Sequence, residues 1–253
     1  MHPSLVELWQ GLQGGLPPLI AYSVLSLILL LLAATVLLPA LMLLWHEPAE
    51  VAAWIRERRA ELRQRRRQGA GATELALRRT LALLEGVNVA VGQVCAWLAL
   101  SMALMQFVVV VMRYVFAYGS IQMQESIWYL HGLLFMLGVG YALLKDAHVR
   151  VDIFYAAATP RRRALIDLLG SIVFVLPLCA YTWWLSWSYV SNSWAVKEGS
   201  TEGSGLPYVY LLKTVILAFL LLLAIQAVAT IIRSTLVLAD FEREDLKRAG
   251  TEA

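Results

Sequence analysis

The chain alternates between long apolar segments and polar connecting stretches. We call these connecting stretches joints and number them in chain order. A helix needs about 20 apolar residues to span the hydrocarbon of a bilayer. Because backbone groups in lipid have to be satisfied within a segment, each such segment is expected to be helical. The pattern therefore predicts an all-α integral membrane protein with five transmembrane helices: Leu19–Leu44, Val87–Met112, Ile127–Leu144, Leu165–Val190 and Val209–Ile232.

The first and fourth spans need separate interpretation. Leu19–Leu44 is longer than a signal-peptide core, has no basic region before it and is followed by charge, so we interpret it as a retained helix. Proline removes a backbone donor and bends or breaks a helix. We therefore expect a bend or a local break at Pro39 and at Pro177.

Composition agrees with a membrane protein. The 253 residues are 60% hydrophobic and 15% charged, whereas soluble domains are about half apolar and a quarter charged. The two cysteines, Cys95 and Cys179, lie inside apolar segments. This placement is typical of small buried hydrophobic side chains and not of a disulfide framework or a metal site.

Lysine and arginine are distributed unevenly along the chain. Only Arg113, Lys197 and Lys213, of the 21 basic residues, lie in or beside the second and fourth joints. The others lie in the first and third joints and after the fifth span. Basic residues concentrate on the cytoplasmic side of membrane proteins. The alternation predicts that the N-terminus is outside and the C-terminus inside.

The first joint contains a basic amphipathic stretch over residues 50–67, EVAAWIRERRAELRQRRR. Its apolar side chains fall on one face of a helix: Val51, Trp54, Ile55 and Leu62. One interpretation is a helix lying flat on the anionic inner leaflet. The other is a solvated basic helix that only fixes the topology.

Motifs for catalysis are missing from the sequence. It has no GxxxxGK[ST] phosphate loop and no GxSxG elbow, and the HEPAE stretch that starts at His46 lacks the second histidine of a zinc protease. His131 and His148 lie on or near one helix, and a rise of about 1.5 Å per residue puts them more than ~20 Å apart, too far to share one haem. We predict no catalytic residue, no cofactor and no metal.

Polar residues inside the spans are sparse, amounting to Gln93, Gln106, His131 and Gln226, and no internal repeat is visible. A transport path normally shows as ionisable residues or broken helices in mid-membrane. The pattern favours an accessory subunit that packs against a larger membrane partner. The membrane anchor of a redox complex and a stand-alone small permease are the alternatives.

The second joint carries charge and aromatic residues. Arg113 and Glu125 bracket it, and they either pair with each other as an interfacial salt bridge or contact an external partner. Tryptophan and tyrosine crowd this joint and the fourth one. Such crowding indicates an interfacial belt or a docking surface for another protein.

The third joint has the densest mixture of charges, in the stretch YALLKDAHVRVDIFY over 141–155. His148, Arg150 and Asp152 alternate with valines, so one side is polar and the other apolar. The stretch is either an interfacial turn with local pairing or a contact that seats the protein against a larger subunit or a lipid. A metal site at His148 and Asp152, with Asp146 nearby, is a third interpretation.

Several short motifs occur in a fixed order between the second and fifth spans. In this order the chain resembles the small membrane subunit of tripartite ATP-independent periplasmic (TRAP) transporters, the DctQ-like family. The resemblance covers about Leu83–Arg233 and is carried by VMRYVF at 111–116, Glu125, Gly138, KDAHVRVD at 145–152, Trp194, Glu198, Ser200, GLP at 205–207 and Lys213.

The resemblance implies a multi-pass protein of the bacterial inner membrane. A periplasmic solute-binding protein would capture an organic anion such as a carboxylate, and a large membrane subunit would move it with a sodium gradient. The small subunit would pack on the static part of the large one and help to form the docking surface for the binding protein. Lipids are expected contacts and nucleic acid is not. The candidate subunit or lipid contacts are Arg113, Glu125, His148, Arg150, Asp152, Glu198 and Lys213.

The family usually has four helices with the N-terminus inside, so the first span and the basic stretch are additions. We divide the chain accordingly into four parts. These are an extra N-terminal transmembrane helix (1–45), a basic cytoplasmic amphipathic arm (46–82), a four-helix small-subunit membrane domain (83–235) and a cytoplasmic polar tail (236–253).

Overall fold

A computed structural model of the chain describes residues 51–115, 118–148, 155 and 157–251, with side chains of the last helix described as far as residue 244. The expected span Leu19–Leu44 with Pro39 lies outside the described residues, as do Arg150 and Asp152. Within the described ranges the protein is helical and has no strand.

The helices are numbered here in chain order. A π-helical turn, Ser171–Val175, joins α4 to α5. The bounds are 51–67 for α1, Ala72–Tyr114 for α2, Ile121–Leu144 for α3, Pro160–Gly170 for α4, Leu176–Ala195 for α5 and Val209–Thr251 for α6.

Four of these helical units are long and apolar enough to cross a membrane: α2, α3, the continuous α4–α5 unit and α6. They confirm the last four spans expected from the sequence. Two of them extend well beyond the apolar segments, because α2 begins at Ala72 and α6 continues to Thr251. The added turns are rich in Ala, Leu, Glu and Arg, which are good helix formers outside the membrane as well.

The π-helical turn lies immediately before Pro177. Since proline has no backbone N–H, it cannot donate to the carbonyl four residues earlier. The chain widens locally instead, and the N–H of Leu176 donates to the carbonyl of Ser171. The disturbance expected at Pro177 is therefore confirmed, and it takes the form of a π turn.

Helix α6 is the central element. It packs against α2, α3, α4, α5 and the π turn. In the most apolar 18-residue stretch of α6, 39% of the residues are buried within the chain. The corresponding share is 6% in α2 and in α3 and 17% in the α4–α5 unit. The other three spans therefore turn most of their apolar surface outward, as helices do that face lipid or another membrane subunit.

Helices α1 and α2 form an antiparallel hairpin closed by residues 68–71, where Gly69 adopts φ +81°. The Trp54 ring lies over Gly86, at 3.5 Å from the position that a Cβ would take there. Arg58 and Arg65 bond to residues of α2 and α6. The inner face of α1 is thus turned toward the bundle, which differs from one of the two interpretations of the sequence, a helix lying flat on a leaflet.

Candidate functional site

A loop over residues 196–208 connects α5 to α6 and is held by Glu125, the fifth residue of α3. The Glu125 carboxylate accepts hydrogen bonds from the Ser200 hydroxyl and, at 2.6 Å, from the backbone N–H of Leu206. The N–H of Ser200 also donates to the Leu206 carbonyl at 3.0 Å. Glu125 is therefore an anchor for the loop, and we call this end of the bundle the loop end.

Glycine is required where the loop approaches Glu125. A Cβ at Gly205 would overlap the Ser200 hydroxyl and lie 2.6 Å from Glu125 Oε1. Gly203, two residues earlier, has open space around the corresponding position. The difference between the two glycines provides a matched pair of sites for testing the anchor.

Of the two interpretations of Arg113 and Glu125, the salt bridge between them is wrong. Arg113 is exposed near the end of α2, and no ion pair joins the two side chains in the described part of the chain. The two oxygens of Glu125 are occupied by the loop instead. Arg113 is left as an exposed cation near the same end of the bundle.

Glu198 and Lys213 form a second anchor for the loop. Lys213 Nζ lies 2.5 Å from Glu198 Oε2, and its ammonium stands 4.1 Å from the centre of the Tyr189 ring. The hydrogen bond from Lys213 lowers the pKa of Glu198. Two of the residues singled out from the sequence thus contact each other, and they connect the loop to α6.

The loop anchor is expected to weaken in acid. A carboxylate whose pKa is lowered in the folded protein adds stability above its unfolded pKa of about 4.3, and this stability is lost as the pH falls through the lower folded value. The hydrogen-exchange protection factors of residues 196–208, which are corrected for the intrinsic exchange rate at each pH, should therefore fall as the carboxylate of Glu198 is protonated in acid, and they should fall more than those of α3. In a Glu198→Gln variant the loop should exchange quickly at neutral pH, and equal exchange in the variant and the wild type would contradict the assignment.

Aromatic side chains build the surface beside this loop. Trp194 Nε1 donates to the Thr214 hydroxyl at 2.8 Å, and the Trp194 ring meets Tyr210 edge-on at a centroid distance of 4.8 Å. The Lys197 ammonium lies 4.3 Å from the Trp194 ring centre and 4.9 Å from that of Tyr210. These contacts give the loop end fixed aromatic groups and an exposed cation.

The third joint lies at the opposite end of the bundle, and the structure does not bring it to the loop end. His148 is exposed just beyond α3, while Arg150 and Asp152 lie outside the described residues. Farther along, the Tyr155 hydroxyl donates to Asp167 at 2.9 Å, and Arg163 Nε donates to the Tyr155 carbonyl at 3.1 Å. This joint is therefore tied to α4 through Tyr155.

A buried carboxylate joins three helices at this opposite end, which we call the basic end. Glu85 on α2 is fully buried and accepts hydrogen bonds from Arg58 of α1, at 2.5 Å, and from Nε of Arg233 of α6, at 3.2 Å. The sequence analysis did not assign this role to Glu85. The signal available was an acidic residue directly before an uncharged run of 27 residues, 86–112.

A second group of charged side chains joins α1, α2 and α6 farther from the spans than Glu85. Glu74 on α2 accepts from Arg78 at 3.1 Å and from Arg243 of α6 at 2.7 Å. Asp240 of α6 accepts from Arg65 of α1 at 3.0 Å. Helices α1, α2 and α6 are thus linked by alternating charges over several turns.

One polar contact lies inside the bundle. Asn88 of α2 donates to Gln226 of α6 at 2.9 Å, and both side chains are fully buried. A Cβ at Gly140 of α3 would overlap Asn88 Oδ1 and lie 3.2 Å from the carbonyl of Leu222. Gln226, a mid-span polar residue in the sequence, therefore serves helix packing, and Gly140 permits three helices to meet closely.

Replacing Gly140 by alanine is expected to destabilise the bundle by about 1–3 kcal/mol, the range for overpacking a filled core. Gly138→Ala is the matched control, because a Cβ there would lie 3.7 Å from Cys95 Sγ, an ordinary contact. Thermal unfolding in detergent should show a lower midpoint for Gly140→Ala only. Equal midpoints for the two variants would refute the close approach.

The described residues indicate a class of protein. Four membrane-capable helices are held together by internal polar contacts. Among the residues that the structure describes, no group of three or more His, Cys, Asp or Glu is placed to hold a metal ion. The chain has the features of a helical membrane subunit whose polar side chains serve packing and anchoring.

Comparison with protein families identifies that subunit. The family model described as the DctQ component of tripartite ATP-independent periplasmic transporters matches residues 102–236, more than half of the chain. The chain therefore belongs to the DctQ family and is the small membrane subunit of a TRAP transporter. This confirms the resemblance found in the sequence. Searches of curated proteins and of solved structures returned no match.

Proposed function

We propose that this chain packs on the large permease subunit of its transporter and helps to form the docking surface for the periplasmic solute-binding protein. The transported substrate would be an organic anion such as a carboxylate, and the energy would come from a sodium gradient acting on the large subunit. Family members work together with a large permease and a binding protein, which supports these partners. The chain itself would be non-catalytic.

The docking role is supported by the contacts that hold the loop end in one shape. Glu125 and the Glu198–Lys213 pair anchor the loop at two points, and Trp194 is held by Thr214 and Tyr210. Docking surfaces that are ordered before binding lose less conformational entropy on association. Aromatic side chains are also enriched at protein interfaces. We place this end in the periplasm because the basic residues collect at the other end.

Packing on a larger membrane subunit is supported by the outward apolar surface of the spans. Phe135 on α3 is 69% exposed, and Phe174 and Trp184 on the α4–α5 unit are 72% and 73% exposed. Side chains of this size gain stability where they are covered by lipid or by a second apolar protein surface. Two buried polar side chains of the spans, Asn88 and Gln226, bond to each other, which is consistent with a role in packing.

Site-specific photocrosslinking in the assembled transporter tests the docking role and the orientation together. A photoreactive residue at Val196, which is 73% exposed at the loop end, should crosslink to the solute-binding protein. The same group at Glu242, exposed at the basic end, should not. Crosslinks to the binding protein from Glu242 but not from Val196 would reverse the proposed orientation. Absence of the large permease from the purified complex would contradict the packing role.

A further inference from the structure

Helix α1 has two different faces. The face turned to α2 and α6 carries Trp54, Arg58, Glu61 and Arg65, all of them half-buried. Arg58 pairs with Glu61 at 2.9 Å and with Glu85 at 2.5 Å, and Arg65 pairs with Asp240 at 3.0 Å. The arginines of this inner face are therefore neutralised by acidic groups within the protein.

The opposite face of α1 carries five exposed arginines, which we call the outer arginine face. With 3.6 residues per turn, their spacing places all of them within an arc of about 100°. None of them forms an ion pair with any residue that the structure describes, so their positive charge is uncompensated there. The outer arginine face consists of Arg56, Arg59, Arg63, Arg66 and Arg67.

The level of this face relative to the spans follows from the hairpin with α2. Trp54 lies over Gly86, Arg58 bonds to Glu85, and Arg65 Nη1 lies 3.9 Å from Glu74 Oε1. Glu85 is the last charged residue before the uncharged run 86–112. Arg58 therefore lies level with the end of the apolar spans. From there α1 runs away from the spans, alongside α2 and the end of α6.

The outer arginine face extends along the membrane normal over at least the thickness of one headgroup layer. At about 1.5 Å per residue, Arg56 and Arg59 lie within ~3 Å of the level of Arg58, and Arg67 lies about 14 Å beyond it. A headgroup layer is roughly 5–7 Å thick on each side of the bilayer. The charge of the outermost arginines acts over a further ~8 Å at physiological salt. All five guanidinium groups are thus within reach of the lipid surface.

We propose that the outer arginine face of α1 binds the headgroups of anionic phospholipids. The guanidinium group presents paired donors that match phosphate oxygens, and a helix already fixed by internal ion pairs loses little freedom on binding. An anionic leaflet is present at this level in any cell membrane that contains acidic lipids. This location favours lipid over an acidic protein or a nucleic acid. The proposal does not depend on the docking role of the loop end.

Native mass spectrometry of the purified full chain in neutral detergent tests the proposal. Micelles are titrated with phosphatidylglycerol or with phosphatidylcholine of the same chain length, and bound lipids are counted. We expect the wild type to prefer phosphatidylglycerol about tenfold. Replacing all five arginines of the outer face by glutamine should abolish the preference, whereas replacing them by lysine should retain most of it. Circular dichroism verifies that each variant keeps its helix content.

Two further samples sharpen the test. A Glu242→Gln, Glu244→Gln variant raises the net charge at the same end without touching the outer arginine face, and it should leave the lipid preference unchanged. A hexaglutamate peptide and a short DNA oligonucleotide are added at 150 mM salt as competing polyanions. The proposal is overturned if the glutamine variant binds phosphatidylglycerol like the wild type. It is also overturned if the wild type shows no lipid preference but binds either polyanion through these arginines.

Discussion

Replacing Glu85 by alanine is expected to lower the free energy of unfolding by about 3 kcal/mol. Removing one partner of a buried ion pair typically costs 3–5 kcal/mol, because the other charge is left without compensation. We expect the lower end of this range, since the Arg58 and Arg233 side chains remain 28% and 37% exposed and regain some hydration. Chemical denaturation in mixed micelles gives the free energy.

Glu61 provides a matched control for this change. Its carboxylate also pairs with Arg58, at 2.9 Å, and with Arg78, at 3.1 Å, but its side chain is 37% exposed. Ion pairs at exposed positions contribute about 1 kcal/mol or less. Glu61→Ala should therefore have a small effect. Equal losses from the two variants would show that Glu85 is not the buried centre that joins α1, α2 and α6.

Replacing Gly205 by valine is expected to detach the loop end while leaving the spans folded. The added side chain would overlap the Ser200 hydroxyl and press on Glu125, so Glu125 could no longer accept from both Ser200 and Leu206. The affinity for the solute-binding protein should fall about tenfold or more, which corresponds to ~1.4 kcal/mol of binding free energy. Surface plasmon resonance on the assembled transporter measures the change.

Gly203→Ala is the control within the same loop. A Cβ at Gly203 meets no atom within 4 Å. The substitution should leave both the thermal unfolding midpoint and the affinity for the binding protein unchanged. If Gly205→Val binds as tightly as Gly203→Ala, the anchored shape of the loop has no part in docking.

The last four spans could be predicted from the sequence because their signal is local. An uncharged run such as 86–112 contains the information for a membrane helix within itself. Pro177 carried a similar local signal, since a missing donor disturbs the helix wherever it packs. The family was recognisable for a related reason, since it is carried by short motifs that lie within the matched range 102–236.

The anchors could not be predicted in the same way, because each depends on residues far apart in the chain. For Glu125 the sequence suggested either a pair with Arg113 across the second joint or a contact with an external partner. Its actual partners, Ser200 and Leu206, lie 75 and 81 residues away and reach it only once α3, α5 and α6 are packed. Glu198 and Lys213 were chosen from family resemblance, and their contact became visible only in the structure.

The basic stretch was interpreted from its apolar face and its many arginines, which did not show that the arginines divide between an inner and an outer face. Arg58 and Arg65 are paired within the protein, whereas Arg59 and Arg63 are exposed, although they alternate along the same few turns. The acidic partners on α2 and α6 decide this division. A sequence pattern on α1 alone cannot show which arginines remain available to an outside partner.

Uptake by purified components in liposomes tests the central claim most directly. The large permease is reconstituted with or without this chain, with its binding protein outside and a sodium gradient across the membrane, and uptake of the labelled organic anion is measured. We predict uptake only when the chain is present, a clear reduction for Gly205→Val, and none for the chain alone. Full uptake by the permease without this chain, or uptake by the chain alone, would contradict its assignment as a required small subunit without a transport path.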